Sequence, residues 1–387
     1  MTRALRIAFI VGEPSGDALG ADLLEALRRG AGPDEIEAVG LAGERLRALG
    51  VRSLFDISDV AVMGISAVVG RLPKIARRIR QTARAIVALR PDCVVAIDSP
   101  DFTHAVAKRV RARLPGVPIV KYVCPSVWAW RPGRAPRMRA HIDHVLAILP
   151  FEPAVLQQLG GPECTYVGHP LVGQVETARA QAMKPVGGPP RLLVLPGSRL
   201  GEINRMLAIY GETLNVLRER GHVFEPVVPA VAHLRREIER RVASWPQVPT
   251  IVDAAENGTT FRTARAALAT SGTVALELAL HRVPTAIAYR FDALAKRVAP
   301  FVDVWTASLP NLIADELLLP EDLDETVRPA RLARRLELLL TDGHERTRQL
   351  EGFERVAERM RTDRPPGEVA AGVVLSMARQ ARQTKSG

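Results

Sequence analysis

Short runs of apolar, β-branched residues alternate with stretches of helical periodicity along nearly the whole chain. The first run, Arg6–Val11, passes through a turn at 12–17 into a segment whose leucines, at positions 19, 23, 24 and 27, share one helical face. Further strand candidates follow at Cys93–Ile97, Ile119–Val123, Val145–Leu149, Arg191–Leu195, Phe224–Val228, Ala266–Ala269 and Thr285–Tyr289. This alternation predicts an α/β fold with parallel sheets that helices cover on both faces.

The length of 387 residues exceeds what one hydrophobic core usually organises. The segment 178–190 is rich in proline and glycine and breaks both periodicities, so it is the expected linker. We predict two doubly wound, Rossmann-like domains, residues 1–180 and 190–350, with a helix at about 355–382 packing back on the first. A ligand cleft is expected between them, facing the carboxyl ends of the strands.

Composition narrows the class of protein. The chain is 47% hydrophobic and 25% charged, as in soluble globular proteins, and no run approaches the roughly 20 apolar residues that span a bilayer. The three cysteines are too few and too scattered for a disulfide framework or a zinc cluster, which fits a reducing cytoplasm. The sequence therefore predicts a soluble or peripheral protein with no metal site and no cofactor.

The formal net charge of +11 indicates an anionic partner. Nucleic acid is one candidate, although only 4% of the residues are aromatic and no nucleic-acid-binding motif is present. Anionic phospholipid, or a phosphorylated lipid substrate, is the other candidate. Composition alone leaves both open.

Two strand-to-helix turns in the second half are candidates for binding a nucleotide diphosphate. In the first, Ser198 and Arg199 follow a glycine directly before a helix that carries Glu202 near its start. Helix N-termini bind phosphate through free N–H groups, and an arginine adds a fork that matches phosphate oxygens. The alternative is a surface turn with a solvated arginine.

The second turn is Ser271–Gly272–Thr273, and the helix that follows it carries Glu277. The hydroxyls and N–H groups of this turn suit a diphosphate, and Glu277 suits the hydroxyls of a ribose. The alternative is that Thr273 caps the helix while Glu277 favours its dipole. Two such turns in one domain favour the nucleotide site over the alternative.

A candidate general base, Asp98, ends the most apolar run of the first half, where active sites gather in open α/β sheets. A helix N-cap is the structural alternative, and Asp101 suits that role better. Glu13, Ser15 and Asp17 follow the first strand and are expected at the same cleft, on a weaker signal.

Two further segments have both functional and structural interpretations. Trp128 and Trp130 stand beside four arginines, which fits either an interface or packing under a loop. The stretch Val60–Ile75 is apolar, and basic residues accompany and follow it as far as Arg84. This pattern is typical of a helix lying on an anionic membrane, and equally of an amphipathic helix covering a core.

Taken together, the motifs resemble those of the lipid-A-disaccharide synthase family. They occur in the family's order and cover about residues 5 to 321. The matching stretches are Gly12–Gly20, Val62–Gly64, Ile97–Phe102, Tyr122–Arg131, Leu149–Glu152, Val167–Leu171, Leu195–Arg199, Ser271–Glu277 and Ser308–Asn311.

The resemblance implies a GT-B glycosyltransferase fold and an inverting, metal-independent reaction of lipid A biosynthesis. The implied donor is UDP-2,3-diacylglucosamine and the implied acceptor is 2,3-diacylglucosamine 1-phosphate, whose 6-hydroxyl attacks to give a β-1,6 disaccharide and UDP. The first domain would take the acceptor and the second the UDP moiety. A peripheral location on the inner face of the inner membrane follows, and no nucleic-acid partner; monomer and homodimer both stay open.

The resemblance also assigns roles to residues. Asp98 would be the base, while Arg199 and the turn at 271–273 would hold the diphosphate. Glu277 would hold the ribose and Asn311 would lie in the nucleotide site. The remaining assignments are cleft-lining roles for Glu13, Ser15 and Asp17 and an apolar wall for acyl chains at Met63.

The chain departs from the family's pattern at Ala67, Thr103, Cys124 and 322–324, which bears on acceptor and acyl-chain preference. One rival is another UDP-sugar enzyme of the same fold, either with a different lipid acceptor or a UDP-sugar epimerase. A rival of another class is a non-catalytic nucleotide- or membrane-binding module, against which the presence of Asp98 argues.

Overall fold

The computed structural model describes residues 4–32, 34–60, 65–180, 187–292, 296–297, 302 and 304–386. Its strands are β1 Leu5–Val11, β2 Ile36–Leu41, β3 Cys93–Ile97, β4 Ile119–Tyr122, β5 His144–Ala147, β6 Glu163–Tyr166, β7 Arg191–Leu195, β8 Glu225–Ala230, β9 Thr250–Asp253, β10 Ala264–Thr270, β11 Thr285–Tyr289 and β12 Glu321–Leu323. Its helices are α1 Pro14–Gly30, α2 Glu44–Ala48, α3 Ile65–Leu89, α4 Pro100–Arg111, α5 Arg134–Met138, α6 Glu152–Gln158, α7 Pro170–Ala180, α8 Leu200–Glu219, α9 Arg235–Val242, α10 Asn257–Arg262, α11 Thr273–Leu280, α12 Leu309–Ala314, α13 Pro329–Leu340, α14 His344–Arg359 and α15 Pro366–Ser386.

The chain forms two compact units, which we call unit 1 and unit 2. Unit 1 is Met1–Pro170 together with Thr362–Gly387, and unit 2 is Leu171–Arg361. The boundary follows Pro170, the first residue of α7, and lies ahead of the expected linker at 178–190, of which 181–186 fall outside the described residues. The helix that returns to unit 1 is α15, while α14 belongs to unit 2.

Unit 1 contains a six-stranded parallel sheet in the order β2-β1-β3-β4-β5-β6. Alternate residues of the central strands are buried on opposite faces: Phe9 packs with the helices α1 and α15, and Ile10 packs with the layer of α3 and α4. Burial on both faces explains why these strands read as unbroken apolar runs. In α15, Val374 and Leu375 are buried against unit 1, and each contributes roughly 1.5–3 kcal/mol by leaving water.

Unit 2 contains a second six-stranded parallel sheet in the order β12-β11-β10-β7-β8-β9. Leu192 and Val194 of β7 pack against α8, whose Met206 and Tyr210 are fully buried. Counted within the unit, this is the Rossmann strand order, in which the direction of strand addition reverses between the parallel neighbours β7 and β10. The prediction of two doubly wound α/β domains is confirmed.

Four strands escaped the sequence prediction, namely β2, β6, β9 and β12. They are the four edge strands of the two sheets. Edge strands are partly solvated, and β6 and β9 contain no fully buried residue. Because the apolar-run criterion detects only strands buried on both faces, it finds the centre of each sheet and misses its rims.

Candidate active site

In unit 1 the order of strands reverses between β1 and β3, and these two strands end together, with Val11 opposite Ile97. Ligands of open α/β sheets bind beyond the carboxyl ends of the strands at such a switch point. The residues that follow the two strands are therefore neighbours at this edge. An added Cβ at Gly12 would lie 2.5 Å from Ser99 Oγ, so only glycine allows this approach.

Asp98 and Ser99 form the turn between β3 and α4 in left-handed backbone conformations, with φ of 50° and 36°. Such conformations cost about 1–3 kcal/mol per residue and cluster at functional sites. The Asp98 carboxylate accepts the Ser99 N–H at 2.8 Å and the Ser15 hydroxyl at 3.1 Å. It is half-buried, so a substrate hydroxyl can reach it.

Glu13 takes part in the same cluster, because it accepts a hydrogen bond from the Ser99 hydroxyl at 3.1 Å. Glu13, Ser15 and Asp98 therefore lie side by side at the switch point. Ser99 had no role in the sequence prediction, although it stands inside one of the quoted motifs. Met63 lies outside the described residues.

Asp17 is the first correction. Its carboxylate is 3% exposed and accepts backbone N–H groups of Gly43 at 2.8 Å and Arg45 at 2.7 Å, at the start of α2. A carboxylate near a helix N-terminus satisfies N–H groups that have no partner within the helix. Asp17 is a capping residue of the core and does not line a binding surface.

A buried lysine holds the Asp98 turn through a hydrogen bond. Lys121, in the middle of β4, donates to the Asp98 carbonyl oxygen and, at 3.2 Å, to the Thr103 hydroxyl. Thr103 in turn donates to the Asp98 carbonyl at 2.9 Å. Burial lowers the pKa of Lys121 to about 7, while the neighbouring Asp98 opposes this shift. The sequence signal for this residue was a single lysine inside an apolar strand.

In unit 2 the switch point lies between β7 and β10, where Leu195 is opposite Ala269. Gly197 has φ of 108°, and a Cβ there would meet the Glu202 side chain at 2.3 Å, so glycine is required. Ser198 and Arg199 are exposed at this edge, with 67% of the Arg199 side chain accessible.

Glu202 is the second correction. It is 8% exposed and accepts the backbone N–H groups of Ser198 at 3.0 Å and Arg199 at 3.2 Å. These N–H groups, which were expected to bind phosphate, instead donate to a carboxylate in the first turn of α8. Glu202 also lies 3.3 Å from the Arg199 guanidinium. It holds the turn in place and leaves the Arg199 side chain as the group that faces solvent.

The turn after β10 places its polar groups at the same edge. Thr273 is exposed, and the Ser271 hydroxyl donates to the Ala307 carbonyl at 3.3 Å. Glu277, one turn into α11, is half-buried, and its carboxylate has no hydrogen-bond partner in the part of the chain that the structure describes. Burial raises the pKa of this carboxyl. A carboxylate without an internal partner remains available to accept hydrogen bonds from a ligand.

Asn311 is the third correction. It is fully buried, and its amide donates to Thr306 Oγ1 at 3.0 Å and to the Leu319 carbonyl at 2.9 Å. Its oxygen accepts the N–H groups of Leu318 and Leu319 at 3.0 and 2.8 Å. Every hydrogen bond of the side chain is used within the protein, so Asn311 fixes the segment 306–319 beside Ser271 and does not face a nucleotide.

The structure helps to choose between the two interpretations of the tryptophan segment. Trp128 donates to the buried Glu152 at 3.2 Å and packs edge-on against Phe151 at 5.3 Å, which is packing under a loop. Trp130 stacks with the Arg131 guanidinium at 4.8 Å.

From residue 75 onward, α3 covers the core through Ile75, Ile79, Ala83 and Ile86. Its opposite face, called the basic face below, exposes Arg77, Arg80 and Arg84, and Leu72 is 51% exposed. No helix among the described residues is long and apolar enough to cross a membrane. Within the same residues, no group of three or more His, Cys, Asp or Glu side chains is placed to hold a metal ion.

Solved structures with this architecture place the fold in a class. The chain matches the calicheamicin glycosyltransferase CalG4 with a TM-score of 0.61 at 17% identity, over 98% of this chain and 99% of that one. It matches MurG of Acinetobacter baumannii with a TM-score of 0.58 at 14% identity, over 97% and 100%. A UDP-GlcNAc 2-epimerase from Neisseria meningitidis matches with a TM-score of 0.57 at 11% identity, over 98% and 100%. The protein has the GT-B fold, as predicted.

Sequence comparison gives the family within this class. The model of the lipid-A-disaccharide synthetase family matches residues 7–365. The chain is 47% identical over 386 residues to a lipid-A-disaccharide synthase of Nitrobacter winogradskyi, over 97% of this chain and 96% of the relative. It is also 47% identical over 387 residues to that of Rhodopseudomonas palustris strain HaA2, over 98% of both. The chain belongs to the lipid-A-disaccharide synthase family, and the predictions of this family and of a glycosyltransferase are confirmed.

Proposed function

We propose that this protein transfers 2,3-diacylglucosamine from UDP-2,3-diacylglucosamine to the 6-hydroxyl of 2,3-diacylglucosamine 1-phosphate. The observation that carries the proposal is the Asp98 turn: a strained, accessible carboxylate at the switch point of unit 1, in a member of this family. The sheet edge of unit 2 supplies the complementary groups for a nucleotide diphosphate.

The acceptor hydroxyl attacks the anomeric carbon of the donor while its proton passes to the Asp98 carboxylate. The bond between the anomeric carbon and the diphosphate oxygen breaks, UDP departs, and attack from the opposite side inverts the configuration. General-base catalysis of this kind typically contributes 10²–10⁴-fold to the rate. Ser15 and the Ser99 N–H orient the carboxylate, because each donates a hydrogen bond to it.

In unit 2, Arg199 and the hydroxyls of Ser271 and Thr273 are proposed to bind the diphosphate. Their role is to offset the negative charge that develops on the departing UDP, which preorganised donors do most effectively. Glu277 accepts hydrogen bonds from the ribose hydroxyls. Glu202 is a positioning residue that acts through Arg199.

A peripheral association with anionic membrane is proposed for the basic face of α3. It is supported by the exposed Leu72 and by the row of Arg77, Arg80 and Arg84. Apolar contact together with basic residues is what binds amphipathic helices to anionic lipid. Binding to phosphatidylglycerol vesicles should fall as salt rises, and binding that ignores salt would contradict the role of the arginines.

One assay tests the reaction directly. The purified protein is incubated with both acylated sugars, and disaccharide and UDP are measured together; we expect them in equal amounts. UDP-N-acetylglucosamine alone serves as the control for epimerase chemistry. Epimerised product without a disaccharide, or UDP binding without turnover, would refute the proposed function.

A further inference from the structure

A basic pocket of about 400 Å³ lies beside α4 in unit 1, separate from the Asp98 cluster. We call it the α4 pocket. The charged and imidazole side chains that line it, apart from one aspartate, are His104, Lys108, Arg109, Arg134, Arg137 and His141.

The α4 pocket carries an excess of positive charge. Four of its lining residues are lysine or arginine, and Asp101 is the one carboxylate that lines it. Asp101 is 91% exposed and lies 3.6 Å from Arg134. Lys108 and Arg137 make no ion pair with any described residue. Their charges are therefore not neutralised within the described part of the protein.

A buried histidine pair forms part of the wall. His104 Nδ1 lies 2.9 Å from His141 Nε2. His141 is 3% exposed, and its Nδ1 is buried without a hydrogen-bond partner among the described residues. Burial lowers the pKa of His104 to about 3 and that of His141 to about 4, and nearby cations, Lys121 for the first and Lys108 for the second, add to it. Leaving a buried polar atom unpaired is costly, and a hydrogen-bonding ligand in the α4 pocket would supply the missing partner of His141.

The position of the α4 pocket connects it with the proposed reaction. Its lining begins at Pro100, two residues after Asp98, and continues to Arg109. Lys108 lies two helical turns from Pro100, about 12 Å along the axis. In a hexose 1-phosphate the 6-hydroxyl and the phosphate lie closer together than this, so a ligand that reacts at the Asp98 turn would enter the pocket at its Pro100 end, toward which helical side chains such as that of Lys108 generally point.

We propose that the α4 pocket binds the phosphate monoester of the sugar 1-phosphate acceptor. The inference rests on the proposed function, in which unit 2 binds the donor diphosphate and the acceptor's phosphate still needs its own site. Lysine and arginine side chains bind phosphate monoesters through charge-assisted hydrogen bonds. An anion in this pocket would neutralise the excess of positive charge among the lining residues.

The test compares two variants that remove the same charge. Lys108→Ala/Arg137→Ala removes the two unpaired cations of the α4 pocket, and Arg52→Ala/Arg113→Ala removes two exposed arginines of unit 1 outside it. Binding of glucosamine 1-phosphate, with glucosamine as the uncharged control, is measured by calorimetry. We expect the pocket variant to bind the sugar phosphate at least tenfold more weakly, and the control variant to match the wild type.

Turnover with the acylated substrates gives the second measurement. The pocket variant should show an acceptor KM at least tenfold higher, with kcat and the Kd for UDP unchanged. Equal sugar-phosphate affinity or equal acceptor KM in the two variants, or a wild type that binds no glucosamine 1-phosphate, would overturn the proposal. Loss of binding to phosphatidylglycerol vesicles with an unchanged KM would also overturn it, in favour of a lipid headgroup. Because calorimetry requires no turnover, a protein that binds the sugar phosphate but forms no disaccharide would refute only the proposed function.

Discussion

The two sheets present opposite chemistry at equivalent places. At the switch point of unit 1 the accessible groups are carboxylates, Glu13 and Asp98, whereas at the switch point of unit 2 the Arg199 guanidinium is exposed. The buried residues that hydrogen-bond to these two turns also differ in type. The buried Lys121 holds the turn of unit 1 through the Asp98 carbonyl, and the buried carboxylate Glu202 holds that of unit 2.

In each unit the turn at the switch point is held by a buried ionisable residue of the opposite type to the exposed one, a lysine in unit 1 and a carboxylate in unit 2. Under the proposed function, the same α/β frame serves proton transfer to a carboxylate in unit 1 and anion binding to a guanidinium in unit 2.

The largest expected effect is that of Asp98→Asn. The amide oxygen can still accept the Ser99 N–H, but the side chain can no longer take a proton, so the rate should fall at least ~10²-fold with UDP affinity nearly unchanged. Steady-state kinetics and calorimetric UDP binding measure the two quantities. Glu25→Gln, on the outer face of α1, is the control and should retain the wild-type rate. A loss smaller than about tenfold would show that another residue is the base.

Asn311→Ala tests whether Asn311 stabilises the fold of unit 2 or binds the nucleotide. Removing a fully buried, fully bonded amide should cost about 2 kcal/mol, because backbone groups of Leu318 and Leu319 lose their partner. Calorimetric unfolding should show a Tm lower by about 4–8 °C. Asn215→Ala, whose amide contacts only its own helix, should change Tm little. A variant with normal Tm but lost UDP binding would restore Asn311 to the nucleotide site.

Arg199→Ala tests whether the exposed guanidinium of unit 2 contributes to UDP binding. Loss of one charge-assisted contact to the diphosphate should raise the Kd for UDP about tenfold, close to 1.4 kcal/mol. Arg236→Ala, an exposed arginine of α9, is the control. Unchanged UDP affinity in the Arg199 variant would place this residue outside the diphosphate site.

The most gradual effect is the pH dependence that Lys121 contributes to stability, because it builds up over several pH units. Burial lowers its pKa to about 7 from 10.5, so between these values the unfolded chain binds more protons than the folded one. The contribution of Lys121 to the free energy of unfolding therefore rises with pH across this window, by at most about 1.4 kcal/mol per pH unit.

The measurement is the difference in Tm between the wild type and Lys121→Met at pH values from 7 to 9.5, where the wild type should gain relative to the variant. Tyr210→Phe is the control in unit 2. Burial raises the pKa of Tyr210, so this phenol stays protonated in both states below pH 10 and its substitution should shift Tm equally at every pH. Parallel curves for Lys121→Met and the wild type would mean that this lysine does not titrate in the window.

Much of the fold could be predicted from the sequence because the central strands are buried on both faces and therefore appear as unbroken apolar runs. Cys93–Ile97, Arg191–Leu195 and Thr285–Tyr289 were predicted with the bounds that the structure gives. The edge strands were missed because one side of each is solvated. The compact units divide between Pro170 and Leu171, ahead of the expected linker at 178–190, because proline and glycine mark a break in periodicity and not the point where the chain passes from one core to the other.

The candidate site was predicted by position more reliably than by role. The turns at 98 and 199 lie at the sheet edges where parallel topology puts them. Asp17 and Glu202 received ligand roles from their places beside a strand end and a helix start, and Asn311 from the family resemblance. Each instead satisfies backbone N–H or C=O groups of its own unit, and only the structure reveals such a partner.

The division of unit 1 has a consequence for how the protein is made. Its core is completed by α15, which the ribosome delivers after all of unit 2, whereas unit 2 is a single continuous stretch. Domains generally fold as units as they emerge during synthesis. Unit 2 can therefore fold first. The part of unit 1 that is synthesised earlier keeps apolar surface exposed until α15 has been synthesised and packs against it.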